Sequence, residues 1–93
     1  MTIPSKTVKR RIMKSPAARA EYERLRLEFE LAATLIRARK QANLSQLALA
    51  KKMGTNQPTI AKLESGKRMP TTRTLTRFAE ATGCKLKIEL VRA

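Results

Sequence analysis

From Ala17 to Gln41 the chain has no glycine or proline and is dominated by Ala, Leu, Glu and Arg, residues that lose little side-chain freedom in a helix. Ser15-Pro16 just upstream offers a capping hydroxyl and a ring-fixed first position, so one long helix is predicted from there. Its apolar residues form two stripes. Tyr22, Leu25, Phe29, Ala32, Ala33 and Ile36 make one; Leu27, Leu31, Leu35, Ala38 and Ala42 make the other, nearly opposite. A surface helix needs a single apolar stripe, so this one is expected to be covered on both sides. The second stripe runs into Leu44 and is expected to face the downstream helices. The first, richer in aromatics, needs another cover.

Downstream the elements are short. Ser45 caps a helix running to about Lys52, with Gly54 as the turn. Asn56 caps a third helix that tolerates Pro58 in its first turn and stops at Gly66. Thr71 or Thr72 opens a fourth, with Leu75, Phe78 and Ala79 at core spacing and Gly83 as its stop. Cys84 to Leu90 alternates apolar with charged, the pattern of a half-buried strand with Leu86, Ile88 and Leu90 inward. One strand cannot stand alone, so it needs a partner from the basic arm or from another subunit, and pairing across a two-fold dimer is the simpler expectation. The fold class is mainly α: a helix-turn-helix bundle of about four helices with a long first helix and a short C-terminal β-strand. The expected organisation is a flexible basic arm over 1–15, the bundle over 16–83 and the dimer-forming strand over 84–93.

Charge narrows the function. Lys and Arg number 21 against 7 Asp and Glu, a formal net charge of +14, which draws polyanions such as nucleic acid. One cysteine and no histidine exclude an internal disulfide, an ordinary zinc site and a His-based triad, and a reducing cytoplasm fits. No metal or cofactor is implied, and without paired carboxylates or a nucleophile beside a base an enzyme is not expected. No apolar run approaches the roughly 20 residues that span a bilayer. Residues 1–15 carry Lys6, Lys9, Arg10, Arg11 and Lys14 and no acid, which suits a DNA-contacting arm and a solvated tail equally. Four of the seven acids, Glu21, Glu23, Glu28 and Glu30, sit on the long helix. Pairs such as Arg26 with Glu30 would serve solubility, while the cluster beside the aromatic stripe offers a site to a basic partner.

The run Leu44-Ser45-Gln46 through Leu63-Glu64-Ser65-Gly66 resembles the helix-turn-helix family of lambdoid phage repressors, the XRE or Cro/C1 class. The resemblance spans about Leu31 to Thr82. It sets Leu44, Leu47, Ala50, Met53, Ile60 and Leu63 at the family's core positions. It implies that Ser45 and Gln46 approach a phosphate, that Asn56, Gln57, Thr59 and Lys62 face the major groove, and that Lys67 and Arg68 touch backbone or minor groove. A Gln can pair bidentately with adenine and a Lys can donate to guanine O6 and N7. Pro58 and Ala61 offer no polar group on that helix. Lys51 and Lys52 read as solvated charges.

Glu28-Phe29-Glu30-Leu31-Ala32 and Ile36-Arg37-Ala38-Arg39 ahead of the motif, with a short terminal strand, further resemble HigA-type antitoxins. That likeness implies a homodimer on a palindromic double-stranded operator, repression of its own operon, and a small basic RelE/HigB-like ribonuclease toxin as partner. Glu21, Tyr22, Leu25, Glu28, Phe29 and Ile36 are the expected toxin contacts. Two other readings stay open: a stand-alone phage or chromosomal XRE-family repressor, and an RNA- or ribosome-associated adaptor.

Overall fold

In the computed structural model, residues 15–67 and 69–93 are described; the arm and Arg68 lie outside them. Four helices follow in order: α1 Pro16–Gln41, α2 Gln46–Met53, α3 Gln57–Leu63 and α4 Thr72–Ala81. Each starts on a side-chain cap. Ser15, Ser45, Asn56 and Thr71 accept the backbone N–H of Ala18, Ala48, Thr59 and Thr74 respectively, satisfying donors that have no partner inside the helix. The stop of α1 is made by Asn43, at φ 59° the only non-glycine residue with positive φ among those described. Asn43 N–H donates to Lys40 O and Leu44 N–H to Arg39 O, which closes the last turn and sends the chain back for α2.

The core sits where the C-terminal half of α1 crosses α2, α3 and α4. Leu35, Leu49, Ala50, Met53, Ile60 and Phe78 are buried together, with Leu31, Ala38, Leu44, Leu63, Leu75 and Ala81 packed around them. Ala50 is fully buried, and a larger side chain there would hold the crossing helices apart. Arg77 of α4 donates to the Met53 carbonyl at the end of α2, tying the two helices at a second point.

The two stripes of α1 are used unequally. Only the part from Leu31 onward reaches the core; Leu27, expected to face the downstream helices, is half exposed because α1 runs on past the bundle. The first stripe is partly covered from within the chain. Gly66, beyond α3, lies so close to α1 that a β-carbon on it would sit 3.6 Å from the Ala32 Cβ and 3.6 Å from the Glu28 carbonyl. A β-carbon there would make ordinary contact, so it is the φ of 74° that favours glycine. Ala32 is thereby buried; Tyr22 and Glu28 are buried as well.

Two expectations are corrected. No strand occurs among the described residues, and residues 84–93 have no regular structure. A strand exists only through a ladder with a neighbour, and the helical bundle presents no sheet edge to Ile88 and Leu90, which are 70% and 98% exposed. The second concerns α2, where Leu49 is wholly buried and Leu47 is 54% exposed. Leu49, Ala50 and Met53 share a face at helical spacing, and Leu47 lies well over a quarter-turn from its centre.

A candidate nucleic-acid interface

The N-termini of α2 and α3 lie side by side, and a chain of hydrogen bonds locks them. Arg39, on the last turn of α1, grips Glu64 with Nε to Oε2 at 2.7 Å and Nη2 to Oε1 at 2.9 Å. Its Nη1 donates to the Leu44 carbonyl at 3.0 Å, fixing the turn before α2. Glu64 Oε1 accepts Gln46 Nε2 at 3.1 Å, and Gln46 Oε1 accepts Gln57 Nε2 at 2.7 Å. The pair is nearly dry, with side-chain exposures of 12% for Arg39 and 3% for Glu64. The hydrogen bond that Arg39 donates to Glu64 also raises the Arg39 pKa above its ordinary value, despite some desolvation. A buried fork of this kind is rigid and directional.

The network has a chemical consequence at the surface. Gln57 is exposed and uses one of its two amide hydrogens on Gln46. Its carbonyl oxygen and second hydrogen remain, which is the acceptor–donor pair that matches adenine N6 and N7. Gln46, half-buried, likewise retains one amide hydrogen. Lys62 is exposed one turn further along α3.

The other expected contacts are placed differently. Asn56 Oδ1 accepts both the Thr59 N–H at 3.0 Å and the Thr59 hydroxyl at 2.8 Å, so these two side chains serve first to start α3. Ser45 accepts from Ala48 N–H at 3.0 Å, leaving its own hydroxyl hydrogen free to donate. Lys67 is exposed, its N–H donating to Ser65 Oγ at 3.3 Å. Arg68 and the basic arm lie outside the described residues.

On α1, Phe29 is 37% exposed, Leu25 and Ile36 are half-buried, and Tyr22 and Glu28 are buried. The glutamates are held by two arginines of the same helix: Arg24 bonds Glu21 at 2.5 Å and Glu28 at 2.8 Å, and Arg26 pairs with Glu23 at 2.9 Å and Glu30 at 2.5 Å. The Arg24 hydrogen bond holds the Glu21 carboxyl below its ordinary pKa. Two guanidinium charges thus offset half of the four carboxylates, and the cluster keeps a net negative charge. On the tail, Leu86 is half-buried while Ile88 and Leu90 are exposed.

Arg39 and Glu64 were not singled out as site residues from sequence. A signal was present, because Glu64 is the only acid between Leu31 and Ala79, a stretch carrying ten Lys and Arg. A lone carboxylate next to the buried edge of a helix, in so basic a segment, needs a specific cation.

A short helix laid across another, with an anchored glutamine and a lysine on its outer face, defines a helix-turn-helix DNA-binding domain of the XRE type. The chain belongs to the helix-turn-helix family, whose model matches residues 35–88. It is 41% identical over 56 residues to antitoxin HigA1 of Mycobacterium tuberculosis, both in strain CDC 1551 / Oshkosh and in strain ATCC 25618 / H37Rv. The matched segment is 60% of this chain and 38% of those relatives, so the chain spans well under half of their length. No solved structure matches. Among the described residues, no helix is long and apolar enough to cross a membrane, and no cluster of His, Cys, Asp and Glu could hold a metal ion.

Proposed function

We propose that the chain is a sequence-specific DNA-binding antitoxin that represses its own operon and neutralises a small basic ribonuclease toxin of the RelE/HigB type in the cytoplasm. The observation that carries the DNA half is the Arg39–Glu64–Gln46–Gln57 network, which anchors Gln57 at the surface with its carbonyl oxygen and one amide hydrogen left to pair with a base. An exposed side chain that only needed to be soluble would gain nothing from such anchoring. The toxin half is supported by the name of the matched relatives, antitoxin HigA1, and by the α1 stripe, where Leu25, Phe29 and Ile36 are the accessible contacts. Tyr22 and Glu28, being buried, act by supporting that surface. Ser45, Gln46 and Lys67 serve the phosphates and Gln57 with Lys62 the bases, while Asn56 and Thr59 position α3.

One short recognition helix reads too few bases for useful specificity, so the working form is a two-fold dimer on a palindrome with half-sites about 10 base pairs apart. The exposed Ile88 and Leu90, with Leu86, supply its apolar contact. A second reading, a stand-alone repressor, is favoured by one observation: Arg24 and Arg26 already pair with the α1 glutamates and offset half of the charge that would attract a basic toxin.

Selection from randomised duplexes, with affinity purification of the tagged chain from its native cell, tests both halves. A selected palindrome together with a co-purifying small ribonuclease is the expected result. A palindrome without the ribonuclease would replace this reading by the stand-alone repressor.

A further inference from the structure

We infer that the centre of the outward face of α3 is a subsite for a thymine C5-methyl group, formed by Pro58 and Ala61 between Gln57 and Lys62. This rests on the DNA-binding reading and adds a third element to it. At about 100° per residue, Ile60 and Leu63 define the inward edge of α3, and Pro58 falls within about 10° of the point opposite them. Ala61 and Lys62 lie about 50° to either side, and Gln57 about 90° away, at the rim. Ile60 is fully buried and Leu63 is packed on the core, while Pro58 is exposed and Ala61 half-buried. The middle of the face that must meet the bases is therefore apolar, with polar side chains on its edges.

That arrangement has a matching ligand. Among the major-groove edges of the four bases only thymine offers an apolar group, its methyl, beside a hydrogen-bond acceptor. Proline has no N–H and neither side chain has an acceptor, so a cytosine at this step would leave its amino group desolvated without a partner. The Gln57 amide is tied to Gln46 Oε1 at 2.7 Å, on the neighbouring helix. Pro58 is therefore a specificity-determining residue that works by shape and dryness, at a position where a polar side chain would read an amino or carbonyl group.

The test uses the full chain and the duplex that it selects from a random pool. Each thymine of that site is replaced in turn by deoxyuridine, which removes the methyl and nothing else. The expected result is a thymine whose replacement weakens binding about fourfold, the worth of one buried methyl-sized group. Pro58→Ser should lose that sensitivity while still depending on Gln57, and circular dichroism reports whether the variant folds. The deoxyuridine series needs no variant and decides alone. Tolerance of deoxyuridine throughout a selected site would overturn the subsite and leave sequence-specific binding standing. Failure to select any site would overturn the DNA-binding reading and the subsite with it.

Discussion

Arg39, on the last turn of α1, and Glu64, at the end of α3, are 25 residues apart in sequence and joined by two hydrogen bonds of 2.7 and 2.9 Å. Because Glu64 also holds Gln46, this one contact links the long helix, the start of α2 and the end of α3. Removing one partner leaves the other charge buried and unpaired, which is costlier than replacing both.

Glu64→Gln should therefore destabilise the fold by about 3 kcal/mol, measured by urea unfolding, and release Gln46. The double variant Arg39→Met with Glu64→Leu should recover most of that stability, yet discriminate cognate from random DNA less well than the parent. Recovery of both properties would mean that the network stabilises without positioning.

The burial pattern of α2 makes a sharper claim about packing. Leu49→Ala should cost about 2–5 kcal/mol because it empties a filled core site, whereas Leu47→Ala should stay within about 0.5 kcal/mol. Thermal melts of the two variants compare them directly. A large loss at Leu47 would place that residue at a contact between chains.

Much of the fold was legible because its causes are local. The four caps, the proline in the first turn of α3 and the run from Ala17 to Gln41 announce helices through their neighbours alone. The exposure of Gln57 and Lys62 was legible because the motif determines which way α3 faces. What escaped depends on residues far apart. The period of Cys84 to Leu90 is that of a strand, but no ladder partner exists in the helical bundle. Family register placed Leu47 inside, while the geometry of α2 turns Leu49 to the core. The Arg39–Glu64 pair, and the seating of Gly66 against Ala32, belong to the packing of α1 on the loop after α3, which no local pattern encodes.

For the tail, Ile88→Asp with Leu90→Asp should leave the monomer's stability unchanged, since both side chains are largely exposed. Sedimentation should show dimers turning into monomers, with weaker binding to a palindromic site. A dimer that survives both charges would place the interface elsewhere.

Phe29→Asp should abolish neutralisation of the co-expressed toxin while operator binding stays within a few-fold of the parent, as read by growth rescue and gel shift. The expectation follows from the exposure of Phe29 on the part of α1 that extends beyond the core. Equal loss of both activities would make the stripe internal support for the fold.

The proposed function turns on whether Gln57, held by Gln46 and Glu64, reads a base. The most direct measurement is the affinity of Gln57→Ala for its selected site and for a scrambled duplex, across a range of salt. The expected result is a loss of about 1–3 kcal/mol on the selected site, almost none on the scrambled one, and the same salt slope for both proteins. Equal losses on the two duplexes would contradict it, and would leave Gln57 as a general contact to the DNA backbone.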